Sequence, residues 1–142
     1  MASALYDVAK QAFLGTGTRI DLDSDTIKIG LINVATDYTV DLTQTSMTPI
    51  TRYASTTDQT LGSLSIVTNS HVIAFDAADA TFTAVSVSGS KTVAALVVYK
   101  FVTNDAGSTP ILYIDGFTAV TPNGGDIAVS FDNGNNRIFS LN

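Results

Sequence analysis

The chain has 142 residues, a net charge of −6 and no cysteine, which excludes a disulfide framework and thiolate metal sites. Its seven Lys and Arg are scattered and supply no positive footprint, so no nucleic-acid partner is expected. No stretch nears the ~18 apolar residues of a membrane helix, the N-terminal residues lack the charged-then-apolar layout of a signal peptide, and no membrane partner is expected.

The composition also leans towards strands. All thirteen acidic residues are aspartate and threonine occurs twenty times. Aspartate prefers caps and turns where glutamate favours helix, and threonine suits a pleated, half-buried strand. A length of this size fits one domain over residues 1–142, with a core that needs no staples.

One helix is predicted, over residues 3–14. Ser3 is placed to cap it. Leu5, Val8, Ala9, Ala12 and Phe13 recur at helical spacing as one apolar stripe, and Gly15 stands where a left-handed C-terminal residue is wanted. So short a helix does not persist alone in water and must dock. It docks either on its own domain or on a neighbouring subunit, which makes Leu5, Val8 and Phe13 interface candidates.

After Gly15 the period changes from 3.6 to 2. Ile27, Ile29 and Leu31 share one face of a strand. Asp37 to Pro49 reads as a long loop, and polar Thr51 to Gln59 continues it. Leu61 to Val67 and His71 to Phe75 read as strands with a tight turn at Asn69-Ser70. Phe82, Ala84 and Ser86 alternate with Thr83, Val85 and Val87 before a turn at Gly89-Ser90. Val93 to Phe101 is the strongest strand, apolar on both faces and therefore central. Asn104 to Gly107 is a turn, and Pro110 opens a strand through Asp115. Pro122-Asn123-Gly124-Gly125 and Asp132-Asn133-Gly134 are further turns, flanking a strand with Ile127, Val129 and Phe131 on one face. Arg137 to Leu141 is expected to pair back to that strand. Leu96, Val98, Ile127 and Val129 are the expected core. Eight or nine short strands with closely spaced turns predict an all-β fold, an antiparallel β-sandwich (jelly-roll or Ig-like) with a short N-terminal helix.

Little in the chain points to catalysis. Asp21, Asp23 and Asp25 alternate and offer hard oxygen ligands to calcium. The EF-hand spacing fails, because Thr26 and Ile32 stand where glycine and glutamate are needed, so the cluster reads as a solvated turn. Gly15-Thr16-Gly17-Thr18 follows a helix, the wrong order for a phosphate loop. His71 is the lone histidine, without a recognisable nucleophile and acid around it. Tyr99, Tyr113 and Phe131 are candidate sugar-facing aromatics, though strand aromatics are more often core or interface. No cofactor and no enzymatic activity are expected.

Several segments, in order, carry a resemblance. They run from Leu5-Tyr6-Asp7 and Phe13-Leu14-Gly15 through Asp25-Thr26-Ile27-Lys28-Ile29 and Asp37-Tyr38-Thr39-Val40. The most distinctive is the stretch from Phe75 to Val85. Ala94 to Lys100, Leu112 to Asp115, Thr121 to Ile127, Phe131 to Gly134 and Ile138-Phe139 complete it. The chain resembles a family of small virion structural proteins of tailed bacteriophages. Residues 44–70 match least and are expected to adapt to a particular capsid. The resemblance implies a capsid cement or decoration protein that bridges capsomers, with the major capsid protein and itself, as a homotrimer, as partners. It implies localisation in the virion after synthesis in the host cytoplasm. Two alternatives stand beside it: a tail or head–tail junction protein, and a calcium-assisted carbohydrate-binding module.

Overall fold

A computed structural model describes residues 2–34, 37–54, 56–134 and 137–141. The chain is all-β and antiparallel with one short helix. The strands are β1 (Ala2–Leu5), β2 (Ile27–Ile32), β3 (Gln59–Thr60), β4 (Ser65–Asn69), β5 (Val72–Asp76), β6 (Ala80–Phe82), β7 (Ala95–Lys100), β8 (Thr109–Asp115), β9 (Ile127–Val129) and β10 (Phe139–Leu141), and the helix is α1 (Asp7–Phe13). They form a five-stranded sheet of order β1-β8-β7-β2-β3, a three-stranded sheet β10-β5-β4 and a pair β6-β9. The smaller sheets pack on the large one across a shared core, as a sandwich does. The five, three and two strands differ from the four-plus-three of an Ig constant domain and the eight of a jelly roll.

The large sheet is buried on both faces. Period-2 alternation sends Ile27, Ile29, Leu31, Leu96, Val98, Leu112 and Ile114 to one side, where they meet Phe75, Phe82, Val129 and Phe131. The alternate residues Ile32, Ala95, Val97, Tyr99 and Tyr113 face the other side, where Tyr6, Tyr38, Met47 and Ile50 cover them. The central position expected for Val93 to Phe101 is therefore observed, and the face carrying Val98 joins the larger core. Leu96, Val98 and Val129 are buried as expected, while Ile127 is only half-buried.

Several boundaries differ from expectation. Residues 2–5 are extended, not helical: β1 pairs Ala2 with Asp115 through Leu5 with Leu112. Pairing with β8 satisfies a run of backbone groups that a further turn of helix would leave open to solvent. Ser3 consequently caps nothing, and the helix starts after Tyr6, which makes no side-chain cap. Two N–H groups at this start are met instead by the carbonyls of Ile111, from Tyr6 N at 2.9 Å, and Leu42, from Asp7 N at 2.9 Å. At the other end Gly15 has φ +91°, the left-handed residue that was wanted.

The strand through Phe82 stops there because Ala84 has φ +50°, which turns the backbone out of the β region. Pro110 lies one residue inside β8, opposite Tyr99, where the β7–β8 register shifts; the irregularity accommodates the missing donor. The last strand, β10, pairs with β5, not with β9. The β4–β5 hairpin turns at Ser70-His71, both with positive φ (46° and 73°), one residue beyond the predicted turn. That is the twist a two-residue loop needs between right-twisted strands.

Candidate functional site

The Asp21–Asp25 turn is held by its own backbone. Asp25 N donates to Asp21 O at 2.8 Å, and Asp21 N donates to Asp25 Oδ2 at 2.7 Å. Asp25 also pairs with Lys100 at 2.8 Å and Asp21 with Arg19 at 3.0 Å. A hydrogen bond from the Asp23 carboxyl, helped by Ser24, holds Asp21 below the ordinary carboxylate range. The same contact, together with the charge of Asp21, pushes Asp23 up. Among the described residues no group of three or more His, Asp or Glu side chains is placed to hold a metal ion.

The three interface candidates on the N-terminal segment pack on their own chain. Leu5 and Phe13 are half-buried against the larger core, and Val8 against the second cluster. Ala9 is fully buried, and Phe13 stacks on Phe139. The helix therefore docks on its own domain, the first of the two possibilities. Of the large apolar residues here, Leu14, just past the helix, is left out, at 86% exposed.

The aromatic candidates separate. Tyr99 and Tyr113 are buried in the second cluster and Phe131 in the first, so they do not share a face. His71 sits exposed at the β4–β5 hairpin tip. Residues 44–70 are only partly an outer surface: Met47, Ile50, Tyr53 and Leu61 are buried.

A polar network that was not anticipated ties this covering segment to the large sheet. Arg52 donates twice to Asp105, at 2.7 Å to each carboxylate oxygen, and its Nε lies 3.1 Å from Asp58 Oδ2. Tyr99 Oη donates to that same Asp58 oxygen at 2.7 Å. Arg52 also donates to the carbonyl of Ile50 at 2.8 Å. Burial pushes the Asp58 carboxyl up; the Tyr99 hydroxyl and the Arg52 charge pull it back without cancelling the rise. Burial acts to lower Arg52, but the carboxylates of Asp105 and Asp58 outweigh it and hold the guanidinium charged. Gly30, mid-strand in β2, makes room for the network: a Cβ there would lie 2.6 Å from Asp58 Oδ1 and 2.8 Å from Arg52 Cγ. A glycine inside an apolar strand is the sequence signal for such a close approach.

A second polar chain pins the cover from the other end. Tyr38 Oη donates to Gln44 Oε1 at 2.9 Å, so in the 3.0 Å contact between Tyr6 and Tyr38 the proton comes from Tyr6. Burial, with the Tyr38 contact, raises the Tyr6 phenol far above its ordinary range. Every buried side-chain nitrogen or oxygen among the described residues has a partner. These networks fasten the covering segment to the large sheet.

No helix is long and apolar enough to cross a membrane among the described residues. In comparisons with known proteins, no family model matches the sequence, and no match is found among curated proteins or solved structures.

Proposed function

We propose that this chain is a non-enzymatic structural protein of a tailed-phage virion, acting as a capsid cement or decoration protein that bridges capsomers. The reading rests on the ordered resemblance from Leu5 to Phe139. The physical character of the molecule supports it. A cement protein needs a stiff body and no chemistry. The observation that best meets this need is the five-stranded sheet covered on both faces, with its cover fastened by Arg52, Asp58 and Asp105. Low charge, 14% of residues, makes much of the surface inexpensive to desolvate. The acidic balance suits approach to a basic patch on a shell. Many copies on a closed lattice make modest contacts collectively strong. The major capsid protein is the partner in this reading, and the homotrimer implied by the resemblance is part of it.

The test is occupancy in purified particles, counted by quantitative mass spectrometry against the major capsid protein. A complement matching the capsid lattice is expected, and particles lacking the protein should assemble but burst at lower temperature. A few copies at one vertex or along the tail would move the protein to the tail or junction. Absence from particles would end the virion reading.

A further inference from the structure

The outer edge of β4 pairs with no other strand among the described residues. Its register defines what that edge offers. The two-residue turn at Ser70-His71 makes Asn69 and Val72 the closing pair of the hairpin, so Val67 bonds Ala74 and Ser65 bonds Asp76. The backbone N–H and C=O of Ile66 and Thr68 therefore point outward. A lone edge of this kind is usually blunted by charge, proline or brevity. Here residues 59–75 contain no Asp, Glu, Lys, Arg or Pro, and β4 is five residues long.

The face beside this edge is apolar. Ile66, Ile73 and Leu141 alternate with the buried Phe75 and Phe139 on one side of the three-stranded sheet, and remain 46%, 48% and 50% exposed. With Phe13, Ile20 and Leu22 they line a groove of about 470 Å³, whose one charged lining residue among those described is Arg19, paired with Asp21.

We infer that β4 pairs with β4 of a second copy of this chain, antiparallel about a twofold axis, extending the three-stranded sheet to six strands. The register is self-complementary. With Val67 opposite Val67 of the second copy, Ile66 falls opposite Thr68, so the outward groups of both residues meet their partners in both directions. Charge favours this occupant over a charged partner. Each copy carries −6, so two copies repel over most of their surfaces, and the charge-free stretch lets them approach without opposing carboxylates. Ile66, Ile73 and Leu141 would then continue as one apolar face across both copies. The inference does not rest on the virion reading, and its twofold symmetry differs from the threefold which that reading carries.

The experiment is light scattering on the full chain as concentration is raised, with amide hydrogen exchange read at Ile66 and Thr68. Twice the chain mass is expected, with both amides protected. Thr68→Lys, which places a charge on the exposed edge, should return the mass to one chain with an unchanged circular dichroism spectrum. Ile66→Pro removes an outward donor that the hairpin does not use and should do the same. A wild-type chain that stays monomeric, or that scatters with three times the chain mass, overturns the proposal. So does an assembly that survives both substitutions, or one in which the two amides exchange as freely as an open edge.

Discussion

Phe13 on α1 stacks on Phe139 on β10, with ring centroids 6.1 Å apart and planes 27° apart. Phe139 also contacts Phe75 at 5.8 Å, so the contact locks the helix to the three-stranded sheet. Phe13→Ala should cost about 2 kcal/mol, from lost half-buried area and the ring pair. Urea unfolding checks it. A loss under ~0.5 kcal/mol, the range of ordinary surface changes, would mean that the ring does not hold the helix.

Gly30 should be intolerant of any side chain. Gly30→Ala pushes a methyl into Asp58 and Arg52 and should destabilise by about 1–3 kcal/mol, as overpacking does. The penalty should shrink in an Asp58→Ala background, with a coupling of at least ~0.5 kcal/mol between contacting sites. Additive losses in the double mutant would place the strain elsewhere.

Asp58 sets a signed pH dependence. Its carboxyl is raised in the folded state, foremost by burial. Between the ordinary aspartate value and that raised value the folded chain holds more proton than the unfolded one, so this group's contribution falls as pH rises through the window. The stability difference between wild type and Asp58→Asn, measured by denaturation across the acid limb, should therefore decline with increasing pH. A difference that grows with pH would show that pairing with Arg52 outweighs burial.

Calcium in excess should leave the melting temperature where a chelator leaves it, because Asp21 and Asp25 are already engaged by Arg19, Lys100 and the turn backbone. A rise that Asp23→Asn abolishes would bring back the carbohydrate-module alternative.

The strands with strong period-2 runs were legible. Ile27-Ile29-Leu31 lies in β2 as read, and the doubly apolar run read over Val93 to Phe101 contains β7 at Ala95–Lys100, because alternation and continuous apolar runs report burial directly. Pairing was not legible: nothing local tells Phe139 to choose Phe75 over the strand at Ile127, since that choice is made by shared burial of distant residues. The start of the helix was misread for a related reason. Ser3 and Leu5 satisfy a capping and stripe pattern, but β8 offers an open edge and tertiary pairing overrides local preference. The Arg52–Asp58–Asp105 fastener left only the mid-strand Gly30 as a trace. The segment around Met47 and Ile50 lacks periodicity, so nothing local marks it as the cover of the sheet's second face.

The first strand of this molecule has a long wait during synthesis. Residues 2–5 pair with residues 112–115, and Phe13 meets Phe139, so this segment finds its partners only after the long stretch between them has been made. Such wide separation raises contact order and slows the search for the native state. A ribosome-bound chain truncated before β8 should leave its leading segment available to proteases and chaperones, and should gain resistance abruptly once residues 109–115 have cleared the exit tunnel. Maturation would then be a late, all-at-once event, timed by the arrival of one strand.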